Sequence, residues 1–387
     1  MSLSKHVKKF RRSASIYGFS WTLVKAAGRA RLGAFRLLFP SLFLRPREKT
    51  VSLIGAGQFG FAVISYFLLR ERGNVFLNCF DVDDANAQRA AGFYGYKKCK
   101  TVEELLANSQ CKYVYIASNH SSHTDYAVTA LKAGKTVYVE KPISVNYTQF
   151  RKLLRALKKT SGQLFVGYNR PFSPAVMEID HAIKNSGKPL SLSCFIIGHK
   201  IPDDHWYRNP EEGTRICGNV GHWIDLACHL LTTRGVVPSN FKVTISYSDL
   251  SEPDDNLTVS LSTDYGDLIT ITLSSREEPF EGINETINLQ CGDVIAKIDD
   301  FRKITIWNKD SVETLAFSPK NVGHRRAVNQ PFSTKYPRDF DEVKLSTVIM
   351  LEITAMVLNR ETSRTIAPLD ILVELEQEND EANYTRH

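Results

Sequence analysis

The chain has 387 residues, 43% hydrophobic and 24% charged, which suits two globular domains that each bury a core. Seven scattered cysteines form no C-x-x-C pair, which argues against a zinc ribbon or disulfide framework and for a reducing cytosol. The net charge of +7 is unevenly held: residues 1–49 carry +11 and the remainder −4, so the globular part has no bias toward nucleic acid.

The basic extension, 1–49, comes first. Leu32 to Leu44 is apolar but short, and Arg36 and Pro40 interrupt it. A bilayer span needs about twenty apolar residues, so this is not a transmembrane helix. No small-residue cleavage site marks a secretory signal. Tyr17 to Leu38 suits a basic amphipathic helix. Such a helix would pack on its own subunit or a neighbour, lie on an anionic membrane surface, or meet an anionic polymer or nucleic acid, and no nucleic-acid partner is expected. The expected location is therefore the cytoplasm, with peripheral contact at the inner face of the membrane left open.

Next comes Val51-Ser-Leu-Ile-Gly-Ala-Gly-Gln-Phe-Gly60, a β-branched apolar run ending in Gly55-x-Gly57-x-x-Gly60. A helical pattern follows it. This strand–turn–helix context predicts a dinucleotide site, with Gln58 and Phe59 inside the turn. Gly55 permits the tight turn, Gly57 lets backbone N–H groups approach a pyrophosphate, and Gly60 lets the helix pack close. The positive end of that helix faces the phosphates. A second apolar run, Val75 to Phe80, ends in Asp81, whose carboxylate would accept from the adenosine ribose hydroxyls. That choice favours NAD over NADP.

Strands at 51–55, 75–80, 113–118, 136–139 and 164–167 alternate with helices at 59–71, 84–91, 102–108, 122–133 and 146–160. The alternation predicts an α/β Rossmann domain, a doubly wound parallel sheet, over 50–172. Its polar clusters follow strands, where such sheets bind ligands. They are Ser118-Asn119-His120 with His123, then Glu140-Lys141-Pro142, then Tyr168-Asn169-Arg170. Lys141 could exchange a proton with a substrate alcohol or ketone, or Glu140-Lys141 could be a surface ion pair. Tyr168, Asn169 and Arg170 could converge on a ligand or merely cap a loop.

From Ser173 the rhythm changes. A helix at 174–186 leads to a strand at 190–198, a polar loop and a helix near 220–233. Strands at 242–248, 257–263, 267–274, 284–291, 294–298, 303–308 and 312–316 follow. Short turns such as Asp264-Tyr-Gly-Asp267 predict a mostly antiparallel α+β domain over 173–360, closed by a helix at 342–358. A C-terminal segment and polar tail fill 361–387. The loop carries His205, Trp206, Arg215 and Asn219. His222 and Asp225, three apart, would share a helical face. The histidines at 120, 123, 199, 205, 222 and 229 show no zinc spacing, so no metal is expected.

In this order and at these separations the motifs resemble the Gfo/Idh/MocA oxidoreductases, over roughly residues 50–360. Gly-x-Gly-x-x-Gly, Glu140-Lys141-Pro142 and Gly167-Tyr168-Asn169-Arg170 carry the likeness. Ile201-Pro-Asp-Asp-His-Trp206 and Arg215-Ile-Cys-Gly218 with His222-x-x-Asp225 look like one subgroup. It is the oxidoreductase half of two-part bacterial proteins linked to surface-polysaccharide sugars. The resemblance implies an open second sheet whose free face forms a homodimer or homotetramer contact. It also implies bound NAD(H) or NADP(H), and substrates that are sugars, inositols or nucleotide-sugars. Lys141 becomes the proton-transfer residue, Glu140 lies near the nicotinamide ribose, and His222 becomes the second catalytic or substrate-orienting group. Many family members carry Asp-x-Gly-x-His, but here Gly218 takes the aspartate's place and Asn219 is the polar neighbour.

The expected function is NAD(H)-dependent hydride transfer at a ring hydroxyl or ketone of a sugar. A nucleotide-linked sugar is favoured because Arg170, Arg208, Arg215 and the basic arm offer cations. The alternatives are a cofactor-binding sensor or assembly protein without turnover, and an NADP-linked reductase of a non-sugar carbonyl.

Overall fold

A computed structural model describes residues 3–30, 46–333, 335 and 338–384. The chain forms two compact units, described separately below. One comprises 13–167 with 324–337; the other comprises 1–12, 168–323 and 338–387.

Two helices open the chain, α1 (Leu3–Tyr17) and α2 (Phe19–Ala30), separated at Gly18, whose φ of +86° suits glycine. The amphipathic helix expected over 17–38 therefore breaks at its start, and its part beyond Ala30 lies outside the described residues, as does Leu32–Leu44. Helix α2 does not leave its apolar face for a bilayer. Trp21, Val24 and Ala27 are buried in the core of the first unit beside Phe61, Phe67 and Tyr94. Among the described residues no helix is long and apolar enough to cross a membrane.

In the first unit the strands are β1 (Pro46–Ile54), β2 (Asn74–Phe80), β3 (Lys97–Lys98), β4 (Tyr113–Ile116), β5 (Thr136–Val139) and β6 (Leu164–Val166). They form one parallel sheet in the order β3-β2-β1-β4-β5-β6. Its crossover helices are α3 (Tyr66–Arg72), entered through π-helical turns at Gly60–Ser65, then α4 (Asp84–Tyr94), α5 (Val102–Ala107), α6 (His120–Lys132) and α7 (Tyr147–Lys159). Strands β2, β4 and β5 are mostly apolar, and β1 is buried from Thr50 to Ile54, because helices cover both faces.

This unit differs from the expected 50–172 domain in three ways. It begins at Ser13, it ends at Gly167, and 324–337 returns to it. That excursion is anchored by polar contacts: Tyr115 Oη donates to the Val328 carbonyl, Gln330 Nε2 to the Val166 carbonyl, and Arg72 Nε to Asn329 Oδ1. Such long-range bonds leave no periodic trace in the sequence.

The second unit begins with α8 (Pro174–Ile183) and contains a nine-stranded sheet. Its strands are β7 (Leu190–Ile197), β8 (Phe241–Tyr247), β9 (Leu257–Thr263), β10 (Leu268–Ser274), β11 (Asn284–Cys291), β12 (Val294–Asp299), β13 (Lys303–Asn308), β14 (Ser311–Ala316) and β15 (Ser363–Ile366). The order is β14-β13-β12-β11-β7-β10-β9-β8-β15, and only β7–β10 is parallel. Strict alternation in β7 buries Leu190, Leu192, Cys194 and Ile196. Helix α8 and α9 (Gly221–Thr233) pack against this sheet, α10 (Phe340–Leu358) packs on α9, and α11 (Pro368–Tyr384) packs on α10. The fold is as the sequence implied: a parallel doubly wound sheet plus an open, mostly antiparallel one. Strand β15 and helix α11 fall in what reads as a polar tail.

Candidate functional sites in the two units

In the first unit the glycines sit where backbone must touch backbone. A Cβ on Gly55 (φ +87°) would lie 2.4 Å from the Ala117 carbonyl carbon and 2.5 Å from Ser118 N. The turn is thus laid directly on the segment that follows β4. On Gly60 a Cβ would stand 2.1 Å from the Gly55 carbonyl oxygen, so only glycine lets the helix start this close to the strand. Gly57 is different: among the described residues a Cβ there would meet nothing within 4 Å, as a position approached by a ligand requires.

Asp81 faces the turn. Its Oδ2 accepts from Ala56 N–H at 2.7 Å and its Oδ1 from Asp83 N–H at 2.8 Å. Each carboxylate oxygen has lone-pair capacity beyond one bond, so a vicinal diol can still donate to it. Gly55, Gly57, Gln58, Phe59, Gly60 and Asp81 therefore come together at the carboxyl ends of β1 and β2.

Ser118 and Asn119 follow β4. Ser122 Oγ donates to Ser118 Oγ at 2.7 Å, and Asn119 Nδ2 donates to Ser121 Oγ at 2.8 Å. His120 and His123 are buried in α6, ring centroids 5.9 Å apart. His123 Nδ1 lies 2.8 Å from the Pro142 carbonyl and Nε2 lies 3.0 Å from the Ser118 carbonyl. The ring thereby ties the turn after β4 to the Lys141-Pro142 segment after β5.

Glu140 and Lys141 follow β5. Glu140 is buried, and Tyr138 Oη donates to its Oε1 at 2.9 Å. Burial raises its carboxyl to about 7, against the opposing pull of Lys141 and the Tyr138 hydroxyl. Lys141 is half-buried beside it. A Cβ on Gly167 would come 2.5 Å from Glu140 Oε1, so the glycine after β6 exists to admit that carboxyl. Tyr138 and Gly167 are supporting residues that sequence reasoning missed, although Gly167 opens the Gly-Tyr-Asn-Arg motif. Arg89, treated below, was missed as well.

In the second unit the polar residues are largely spent on one another. Tyr168 is buried, its hydroxyl 3.5 Å from Met350 Sδ and its ring edge-on to His222 at 6.0 Å. Asn169 Nδ2 donates to the Val322 carbonyl, and its Oδ1 accepts from Arg170 Nη1. Arg170 is paired bidentately with buried Glu285, at 3.1 and 3.0 Å, with its guanidinium over the Trp223 ring. Arg215 is fully buried and donates to Asp255, Ser275, Asn219 Oδ1 and the His199 carbonyl. Arg208 pairs with Asp255 at 2.7 Å.

Arg170, Arg208 and Arg215, expected to offer cations to a phosphate, each pair with a carboxylate inside the unit, as the buried guanidinium groups of Arg170 and Arg215 require. Asp225 is likewise committed. Arg338 grips it with two bonds of 2.8 Å, and Ser346 adds a third. These bonds fix Asp225 within the second unit. His222 is half-buried, and His205 stacks on Trp206, which is 44% exposed. Among the described residues no three His, Cys, Asp or Glu side chains are grouped to hold a metal ion.

Parallel sheet, glycine turn and open second sheet define a two-unit Rossmann-type protein. Residues 49–168 match the model of the Gfo/Idh/MocA family, an oxidoreductase family with an NAD-binding Rossmann fold. Inositol 2-dehydrogenase of Rhizobium meliloti is 32% identical over 103 residues, 27% of this chain and 31% of that one. An oxidoreductase of Synechocystis sp. is 27% identical over 238 residues, 58% of this chain and 62% of that one. The chain spans about a third of the length of the relatives it matches first, at 31%, 43% and 29%. Among solved structures, levoglucosan dehydrogenase in complex with NADH and L-sorbose superposes with a TM-score of 0.67 at 15% identity. That match covers 83% of this chain and 99% of the other. At that identity the likeness establishes the fold.

Proposed function

We propose that this chain is a Gfo/Idh/MocA oxidoreductase that uses NAD(H) on a ring hydroxyl or ketone of a sugar or polyol. The observation that carries the reading is Gly57, clear of every described residue within 4 Å of a Cβ and beside Asp81, with Gly55 and Gly60 fitted against backbone. This donor set suits a dinucleotide. Gly55–Gly60 would hold the pyrophosphate, Asp81 the adenosine ribose, and the segment from Ser118 to His123 would border the cofactor. Bound NAD(H) supplies the hydride exchange. The chain's own residues bind, orient and manage the proton. Lys141 Nζ would take the hydroxyl proton during oxidation and return it during reduction. Glu140 stabilises the charged form of Lys141 when ionised, and near neutral pH it is poised to change charge. His222 is the second proton-handling or substrate-orienting group, and exposed Trp206 suits stacking on a sugar ring.

The named relatives act on inositol and levoglucosan, which supports polyols and unmodified sugars as substrates here. With Arg170, Arg208 and Arg215 internally paired, a nucleotide-linked sugar for polysaccharide synthesis rests on the basic arm alone. Homo-oligomerisation is part of the proposal: the outward face of the open sheet exposes Phe195, Ile197, Ile295 and Trp307.

One observation favours the second reading, a cofactor-binding protein without turnover. Gly218 takes the place of the aspartate in the pattern the sequence resembles, and the side-chain Oδ1 of Asn219 accepts from Arg215 Nε at 3.2 Å. Mixing the full chain with NAD⁺ and a panel of inositols, anhydrosugars and nucleotide-sugars, with absorbance followed near 340 nm, separates the two. Substrate-dependent signal that Lys141→Met abolishes supports the enzyme. Cofactor binding with no consumption across the panel refutes it.

A further inference from the structure

We propose that helix α2 of the basic arm is a working part of the dinucleotide site, with Arg89 as the positioning residue that couples it to the glycine turn. The proposal deepens the cofactor reading above and rests on it. Arg89, in α4, donates from Nη1 to the Gly28 carbonyl in α2 and from Nη2 to the Ala56 carbonyl in the turn, each at 2.8 Å. Ala56 in turn donates its N–H to Asp81. One guanidinium therefore links the arm to both parts of the proposed site, the pyrophosphate turn and the ribose carboxylate. The cation also stacks over Phe61, 5.0 Å from the ring centroid.

A second link is independent of the first. Gln58, the residue after Gly57, donates from Nε2 to the Lys25 carbonyl at 3.1 Å. Its side chain lies so close to α2 that a Cβ on Gly28 would be 2.7 Å from its Oε1 and 3.0 Å from Phe61 Cδ1. Gly28 is buried and helical, with an ordinary backbone conformation, so close approach to the turn explains the glycine. The helix is seated firmly: Trp21 Nε1 donates to the Ala62 carbonyl at 2.6 Å, and Ser20 Oγ meets Tyr66 Oη at 2.8 Å.

Both links act on the part of the chain whose backbone geometry decides whether N–H groups point at a phosphate. A turn with carbonyls held from outside is pre-organised, so less ordering remains to be done when the ligand arrives. The arm's second helix thus fixes the shape of the turn and touches no ligand itself.

The test is a fluorescence titration of NADH, and of ADP-ribose in competition, into the full chain and three variants. Arg89→Met keeps an unbranched apolar stem and loses the guanidinium with both of its bonds. It should weaken NADH about tenfold, the scale of one charge-assisted hydrogen bond. Arg89→Lys can reach one carbonyl and should recover part of that loss. Gly28→Ala improves helix propensity by about 1 kcal/mol, so the fold should hold while the new methyl displaces Gln58. It should weaken NADH about threefold, on the order of half of the Arg89→Met effect in free energy. ADP-ribose should lose affinity by the same factors as NADH, because the links act on the adenosine diphosphate half. Folded variants that bind NADH as tightly as the unchanged chain, or that lose only melting temperature, would overturn the proposal while leaving the cofactor reading intact. Failure of the unchanged chain to bind NADH would overturn the cofactor reading itself.

Discussion

At the carboxyl end of β1, backbone groups and one carboxylate surround Gly57, whose Cβ position is clear of every described residue within 4 Å, and the Arg89 guanidinium holds the turn at the Ala56 carbonyl. In the open-sheet unit, Arg170, Arg215, Arg234 and Arg338 are each buried against their own carboxylates. The first arrangement leaves polar capacity for a ligand, while the second consumes it in the fold. Counting cations in a sequence cannot separate the two. A buried arginine is kept by the partner that cancels its charge, and that partner is a property of the folded chain.

Substitutions can break or sharpen this contrast. The largest effect is expected at Lys141. Lys141→Met should lower turnover on an accepted polyol by roughly 10²–10⁴ while NADH affinity changes little, as removal of a proton-transfer group does. Steady-state rates beside an NADH titration check both halves.

Next in size is Arg170→Met, which strands the Glu285 carboxylate. It should destabilise the chain by about 3–5 kcal/mol in denaturant melts, whereas Arg170→Met with Glu285→Leu should recover most of the loss. A small effect of Arg170→Met on stability, with a large rise in substrate KM, would return Arg170 to the ligand side of the comparison.

Phe195→Glu places a charge in the exposed apolar face of the open sheet. It should shift sedimentation toward monomer at protein concentrations where the unchanged chain associates, and leave the melting temperature within a few degrees. Identical sedimentation profiles would remove that face from the assembly.

The smallest effect concerns pH. Burial raises the Glu140 carboxyl from 4.5 to about 7. A group raised on folding contributes stability that is full below its unfolded value and lost as pH rises through its folded one. The melting temperature of the unchanged chain should therefore carry a downward component between about pH 4.5 and 7 that Glu140→Gln lacks. Parallel pH profiles for the two proteins would contradict that assignment.

Much of this was legible in the sequence, for local reasons. Alternation in 190–197 and 257–274 marks half-buried strands, and continuous apolar runs at 51–54 and 113–116 mark strands covered on both faces. The glycine spacing announced the turn, because close backbone approach excludes side chains at Gly55 and Gly60. What escaped depends on partners far along the chain. Arg170 meets Glu285, 115 residues away, and Arg89 reaches Gly28, 61 residues back. Lys97–Lys98 is too short to show a period, and 368–384 is polar enough to read as a tail though it folds as a helix. Gly167 was quoted within its motif, but its reason, contact with the Glu140 carboxyl, needed coordinates.

The central claim is that the turn from Gly55 to Gly60 with Asp81 is a dinucleotide site, and calorimetric titration of NADH tests it most directly. The full chain should show one saturable site per protomer. Gly57→Val, whose Cβ would meet none of the described residues within 4 Å, should melt within about 0.5 kcal/mol of the unchanged chain and lose that site. Absence of saturable heat in the unchanged chain, or equal binding by Gly57→Val, would contradict the account.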